Sequence, residues 1–265
     1  MMKIALCIKQ VPDTSDIKWT ENNTIRREGV ESIINPYDVF ALNTALEIKS
    51  KLQDVEITVL TMGPAQAEEM LKKTIAVGAD KGALISDRKF AGADTYATGK
   101  TLAKSIQTIV PDYDLIICGQ FAIDGDTAQT GPSIANHLDL TQITFVKSIV
   151  ECTKESITVL RQADDGVETV KASLPALICV LEHPDKPTRA TINGIKKAQF
   201  SEVKTYSLDD IGLTAEDVGI KGSPTYVSKA FRPIVEHHCE KIQYTEDKVK
   251  DICDRIRAYK AGSND

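Results

Sequence analysis

The stretch GQFAIDGDTAQTGP, residues 119–132, follows an apolar run at 115–118 and opens onto a helical pattern. A strand that ends in a glycine-bearing loop and then a helix amino terminus offers unpaired backbone N–H groups and a positive dipole end, which together suit a phosphate. Gly125 and Gly131 would let the backbone come close to such a ligand, and the hydroxyls of Thr127 and Thr130 could add donors. The same residue types also make an ordinary helix start, with Asp126 or Thr127 as the N-cap of a tight turn. The stretch alone leaves both uses open.

Further turns shift the balance. Lys9 ends the first apolar run, Asn35-Pro36-Tyr37-Asp38 precedes a helical pattern, and Met62-Gly63-Pro64 follows another strand-like run. In a parallel sheet all of these fall at the carboxyl edge, where such folds bind ligands, so together they favour a nucleotide pocket. Other chemistry finds little support. His237-His238-Cys239 tempts a metal reading, but adjacent histidines point apart and no ligand cluster lies nearby in sequence, so no metal site is assigned. No Ser/His/Asp or Cys/His arrangement is evident, and the Asp164-Asp165 pair is explained by a turn, so no catalytic side chain is assigned.

The elements that must position these turns are written in the hydrophobic pattern. Apolar runs at 4–8, 56–62 and 115–118 have strand length and β-branched content, while 39–51, 65–77, 95–109 and 127–138 carry apolar residues at helical spacing. Strand and helix in alternation is the rhythm of a parallel sheet, with Leu46, Leu71, Leu102 and Ile134 facing it. From Ile143 the pattern changes to closely spaced strands at 145–150, 156–161, 167–171 and 176–180, two of them joined through Asp164-Asp165-Gly166 as a hairpin. Beyond His183 the chain turns polar and is broken by Pro184, Pro187, Gly194, Gly212, Gly222, Pro224 and Pro233, which reads as an arm and not a second core. Residues 245–259, with Val249, Ile252 and Ile256 on one face, close the chain as a helix. The expected architecture is a parallel-sheet α/β domain at 1–182 that includes the hairpin, followed at 183–265 by an extended arm that ends in a helix.

Composition bounds the partners. A chain of 265 residues, 42% hydrophobic and 26% charged, can bury one substantial core with appendages. Its formal charge of -6 argues against nucleic acid, whose binding is built on clustered Lys and Arg. Residues 1–10 are apolar for only a few positions before Val11-Pro12-Asp13, so neither a signal peptide nor a membrane span is read there and a cytoplasmic protein is expected. The cysteines form no CxxC pair, and Cys7, Cys118 and Cys179 sit in apolar runs where buried thiols are common.

Six motifs carry a resemblance: CIKQVPD at 7–13, INPYD at 34–38, TMGPAQA at 61–67, GADKG at 78–82, GQFAIDGDTAQTGP at 119–132 and VLRQADDGVETVKASLPALICV at 159–180. Over nearly its whole length the chain resembles the electron-transfer flavoprotein beta subunits. The resemblance implies an adenine-nucleotide-binding, Rossmann-like fold and a larger alpha subunit that brings a second FAD. DGDTAQ at 124–129 and KGSPT at 221–225 resemble the electron-bifurcating branch, whose beta subunit holds FAD and takes hydride from NADH (NAD as product). In the carrier branch the same pocket holds AMP. The bifurcating resemblance implies a flavin-dependent oxidoreductase subunit. One electron goes to ferredoxin or flavodoxin, and the other goes through the alpha-subunit FAD to an FAD-dependent acyl-CoA or lactate dehydrogenase.

Carried over by position, Cys7, Lys9, Asn35, Asp38, Met62 and Gly63 would line the beta FAD. So would Gly119, Gln120, Ala122, Asp124, Gly125, Asp126, Thr127, Ala128, Gln129 and Thr130 of the loop. Asp94, Thr95 and Thr98, at another helix start, would receive pyrophosphate from FAD or NADH, or Asp94 would cap that helix. Gln162 stands where some carrier-type relatives have Glu, beside the alpha subunit's flavin. Thr191, Ile192 and Asn193 match the family's recognition loop, with Ile192 either an apolar anchor on the dehydrogenase or buried against its own arm.

Overall fold

The computed structural model describes residues 1–13, 18–19, 25–26, 32–228 and 244–262. Its strands are β1 (Met2–Cys7), β2 (Gln10–Pro12), β3 (Lys18–Trp19), β4 (Ile25–Arg26), β5 (Ser32–Ile34), β6 (Val55–Met62), β7 (Lys81–Ile85), β8 (Leu115–Gly119), β9 (Thr141–Cys152), β10 (Ser156–Ala163), β11 (Gly166–Ser173), β12 (Ala176–Val180) and β13 (Val203–Tyr206). The helices are α1 (Pro36–Leu52), α2 (Glu68–Val77), α3 (Thr95–Ile109), α4 (Thr130–His137), α5 (Ile192–Phe200), α6 (Gly219–Gly222) and α7 (Glu246–Gly262).

One sheet runs in the order β11-β10-β9-β12-β8-β1-β6-β7-β13. All strands from β9 across to β13 are parallel, and the β10–β11 hairpin adds the antiparallel end. Central strands buried on both faces read as unbroken apolar runs, which is why β1, β6 and β8 are visible in the sequence. Ile4 and Leu6 pack with Ile57, Val59 and the inner face of α1 on one side of the sheet. Ala5 and Cys7 pack with Leu60, Ile116, Leu102 of α3 and Ile134 of α4 on the other. From β1 the chain steps one way through α1, β6, α2 and β7, then returns through α3 to β8 on the opposite side of β1. The carboxyl ends of β1 and β8 therefore flank the point where strand order reverses, and a crevice opens there in such sheets.

Two expectations are corrected. The helix read at 127–138 begins only at Thr130, because Asp126 and Ala128 take φ of 52° and 55°, which no helix accommodates. The α/β unit also extends well past the boundary expected at 182. His183 reaches Glu47 of α1 at 3.1 Å, and Asn43 of α1 bonds the backbone of Lys186 and Thr188 at 3.2 and 3.1 Å. Then α5 seats Ala198 against Ile75 and Ala76 of α2, and β13 pairs in parallel with β7. The strand VKTY has half-exposed and exposed residues only, so no apolar run announced it. The described part of the second unit is α7. His237, His238 and Cys239 lie outside the described residues. Among the described residues no helix is long and apolar enough to cross a membrane.

Candidate functional site

A buried carboxylate joins the two strand ends. Asp38, in the first turn of α1, accepts the Lys9 N–H just beyond β1 at 2.6 Å and the Gly119 N–H at the end of β8 at 3.2 Å. Only glycine fits at 119, where a Cβ would lie 2.2 Å from Asp38 Oδ1. Burial pushes the Asp38 carboxyl up to about 7, although the Lys9 N–H, Asn35 and the Gly119 N–H all pull it down. Asn35 braces the neighbouring loop: its Nδ2 donates to the Phe121 carbonyl at 2.6 Å and its Oδ1 accepts the Ile123 N–H at 3.2 Å. Gln120 turns the other way and accepts the Phe145 N–H at 2.6 Å. These polar side chains are engaged by protein groups, so they build the wall of the crevice.

Above the wall the backbone itself offers the free donors. The Ala122 carbonyl accepts both the Gly125 and Asp126 N–H, at 3.1 and 2.8 Å, and the positive φ of Asp126 and Ala128 then turns the chain into α4. Left-handed residues interspersed with ordinary ones aim successive N–H groups towards one point, a nest for an anion. Among the described residues, the backbone N–H groups of 127–131 have no protein acceptor, and the N-cap Gln129 makes no side-chain cap bond. The amino end of α4 adds its dipole. A Cβ on Gly125 would meet nothing within 4 Å, so the approach is open, whereas one on Gly131 would lie 2.3 Å from Cys179 Sγ. Under α4 the thiols of Cys7, Cys118 and Cys179 lie in register on β1, β8 and β12. The Cys7 hydrogen bond and burial raise Cys118, and burial pushes Cys179 up to about 12, so these two remain neutral packing groups.

The rim is made of paired charges and a strap. Lys9 Nζ holds both oxygens of Asp124, at 2.7 and 2.8 Å. Asp94 caps α3 by accepting the Ala97 N–H at 3.0 Å, and its other oxygen accepts the N–H and hydroxyl of Thr225 at 3.0 and 2.7 Å. Burial alone would raise this carboxyl, but the Ala97 and Thr225 donors hold it below its ordinary value. Ser223 Oγ accepts the Asp94 N–H at 2.8 Å, so residues 223–225 are clasped onto the start of α3. Thr95 Oγ1 meets Gln129 Oε1 at 2.9 Å and ties that helix start to the nest; Thr98 is half-buried one turn on. Met62 and Gly63 stand half-buried at the end of β6. No group of His, Cys, Asp or Glu among the described residues could hold a metal ion.

A parallel sheet with an anion nest at its switch point narrows the fold class, and comparison with known proteins names it. Residues 22–211 match the electron transfer flavoprotein domain. The chain belongs to the electron transfer flavoprotein family. It is 44% identical over 237 residues to the electron transfer flavoprotein subunit beta of Thermoanaerobacterium thermosaccharolyticum, covering 89% of this chain and 90% of the relative. It is 44% identical over 233 residues to the caffeyl-CoA reductase-Etf complex subunit CarD of Acetobacterium woodii, covering 88% of each. Protein FixA of Sinorhizobium fredii is 40% identical over 265 residues, covering 96% of this chain and 92% of the relative.

Other features of this beta subunit lie away from the crevice. Gln162 staples the β10–β11 turn, its Nε2 donating to the carbonyls of Ala163 and Gly166 at 2.9 and 3.0 Å and its Oε1 accepting from Lys147 at 3.3 Å. Thr191 caps α5 by accepting the Gly194 N–H at 3.0 Å. Ile192 is 86% exposed, which decides against burial on its own arm, and Asn193 is exposed beside it. Sequence reasoning missed the aromatic run Tyr37, Phe121 and Phe145, whose rings lie 5.3 and 6.0 Å apart in edge contacts. No periodicity links those positions, and Phe145 joins them only through a positive φ of 58° inside β9.

Proposed function

We propose that this chain is the FAD-holding beta subunit of an electron-bifurcating electron-transfer flavoprotein that works in the cytoplasm and is reduced by NADH. The observation that carries the reading is the row of unpartnered N–H groups at 127–131, set at the switch point of the sheet. Those groups, with the hydroxyls of Thr127 and Thr130, would take the pyrophosphate. Asp38, Asn35 and Gln120 hold the crevice walls in place, and the strap at 223–225 covers the start of α3. When bound, FAD supplies acceptance of a hydride pair and its release one electron at a time, to ferredoxin or flavodoxin and, through the alpha-subunit FAD, to an acyl-CoA or lactate dehydrogenase. The relative named as a subunit of a caffeyl-CoA reductase-Etf complex supports service to a dehydrogenase. Exposed Ile192 suits the anchor on that dehydrogenase.

The nest would equally suit the single phosphate of AMP, the nucleotide of the carrier branch. The loop DGDTAQ at 124–129 and the strap KGSPT at 221–225 favour FAD, since both resemble the bifurcating form and both border the crevice. Extraction of nucleotide from the purified complex with the alpha subunit separates the two. Two FAD per heterodimer is the expected result; one FAD with one AMP overturns it.

A further inference from the structure

We infer that Asp94 is a positioning residue: it closes the strap at 223–225 onto α3 and, through Thr95 and Gln129, keeps the donors of 127–131 pre-formed, so that retention of the bound nucleotide depends on the strap. This rests on the proposal that 127–131 hold that nucleotide. An ordinary N-cap needs one side-chain oxygen. Asp94 gives Oδ1 to that task, accepting the Ala97 N–H at 3.0 Å. Its other groups reach far along the chain. The N–H donates to Ser223 Oγ, 129 residues away, and Oδ2 accepts the N–H and hydroxyl of Thr225, 131 residues away. The strap arrives already braced: Lys100 Nζ of α3 meets Asp217 at 2.6 Å, and a Cβ on Gly219 would stand 2.0 Å from the Lys89 carbonyl oxygen. Ser223 Oγ also donates back to the Gly219 carbonyl at 2.6 Å. Among the described residues, the hydrogen bonds from 223–225 to the start of α3 all go to Asp94.

From Asp94 the contact continues to the nest. Thr95, the next residue, donates its hydroxyl to Gln129 Oε1 at 2.9 Å. Gln129 is the N-cap of α4 and makes no cap bond of its own, so its amide is held by α3 while the first N–H groups of α4 stay free. One turn on, a Cβ on Gly99 would lie 2.1 Å from Ser133 Oγ, so α3 is pressed against α4 and a shift of one is felt by the other. The left-handed turns at Asp126 and Ala128 cost conformational energy, and the surrounding contacts must hold them. With the strap open, Asp94 loses Ser223 and both donors of Thr225, the first turn of α3 loosens, and Thr95 releases Gln129. A nest formed only part of the time binds in proportion to the formed fraction.

The test uses the complex with the alpha subunit and reads how fast labelled nucleotide leaves when excess unlabelled nucleotide is added, with FAD and AMP as probes. Asp126→Ala, which reshapes the nest itself, identifies the release phase that belongs to 127–131. Thr225→Val keeps the shape and loses a hydroxyl that donates to a carboxylate, so it should speed that phase about tenfold, and Thr225→Ser should restore the native rate. Asp94→Asn should also speed it, because the amide turns an NH2 group towards donors that the carboxylate accepts. Thr95→Val should act in the same direction, and the Thr95→Val/Thr225→Val double variant should release no faster than the quicker single, since both act on one relay. Additive effects overturn the relay, for Thr95 and the strap would then act on the nucleotide independently. If Asp126→Ala speeds a phase that Thr225→Val and Asp94→Asn leave at the native rate, the role of the strap is overturned and the nest stands. If Asp126→Ala speeds no phase, the nest fails and the inference with it.

Discussion

Replacing Asp38 by Asn should remove the pH dependence that this group gives to stability, on top of a pH-independent loss of one of its two backbone hydrogen bonds. Burial moves the folded-state carboxyl from its ordinary 3.8 to about 7, so over that window the folded chain holds a proton that the unfolded chain has lost. Stability from this group is therefore greatest in acid, falls as pH rises from about 4 to about 7, and is flat above. At about 1.4 kcal/mol per unit, the part between pH 5 and the folded pKa near 7 amounts to about 3 kcal/mol. Asn keeps the size and remains neutral throughout, so it mimics the protonated form and should lack this slope. Urea unfolding of both proteins near pH 5 and near pH 8, as complexes with the alpha subunit, gives the comparison. The mutant should gain about 3 kcal/mol on the native protein between the two pH values, and every other titrating group cancels in that difference. Parallel pH curves would refute a buried, charge-penalised Asp38 at the switch point.

The loop at 119–132 makes two further predictions. Gly131→Ala forces a methyl to 2.3 Å from Cys179 Sγ, so it should cost about 1–3 kcal/mol in thermal or urea melts; a native melting curve would show that α4 has room to shift. Thr127→Val and Asp126→Ala should each lower FAD retention after dialysis about tenfold, the first by removing a donor and the second by straining a residue with φ of 52°. Asp126→Gly should keep FAD, because glycine accepts that φ; full occupancy in all three with early melting would make the loop purely structural. Expressed without its alpha subunit, the chain should self-associate through exposed apolar positions such as Tyr226 and Val227, which light scattering would reveal, and a stable FAD-saturated monomer at micromolar concentration would count against an arm that serves a partner.

What the sequence revealed of the fold follows from burial. Strands covered on both faces and helices with one covered face leave a period, and β1, β6, β8 and β12 were found to within about two residues of their ends for that reason. The β10–β11 turn was equally plain, since Ala163 pairs with Gly166 and leaves Asp164-Asp165 as the loop. β7 and β13 were not read as strands. β7 is short and opens on exposed Lys81, and β13 is an edge strand with no buried residue, so neither shows a pattern strong enough to read. α5 was hidden because its inner contacts are Gly194, Lys197 and Ala198, none of which marks an apolar face.

The residues of the candidate site were legible as a cluster of turns and less so as a set of contacts, and the reason is chemical. Asn35, Asp38, Gln120 and Asp94 are the kind of residue expected to touch a nucleotide, yet each spends its side chain on backbone groups of neighbouring turns. Carboxylates so close to the proposed phosphate site would repel the ligand if they were free. Asp38 is shifted towards neutrality by burial, and Asp124 is matched by both contacts from Lys9 Nζ. What remains to attract an anion is the main chain of 127–131, and main-chain donors carry no side-chain signature. They are readable only through the residues that permit the turn: Gly119 against Asp38, Gly131 against Cys179, and Asp126 in a left-handed conformation that Asp adopts more readily than most residues. Binding through the backbone also means that no single side-chain replacement in the loop should abolish nucleotide binding, whereas a substitution that reshapes the turn should.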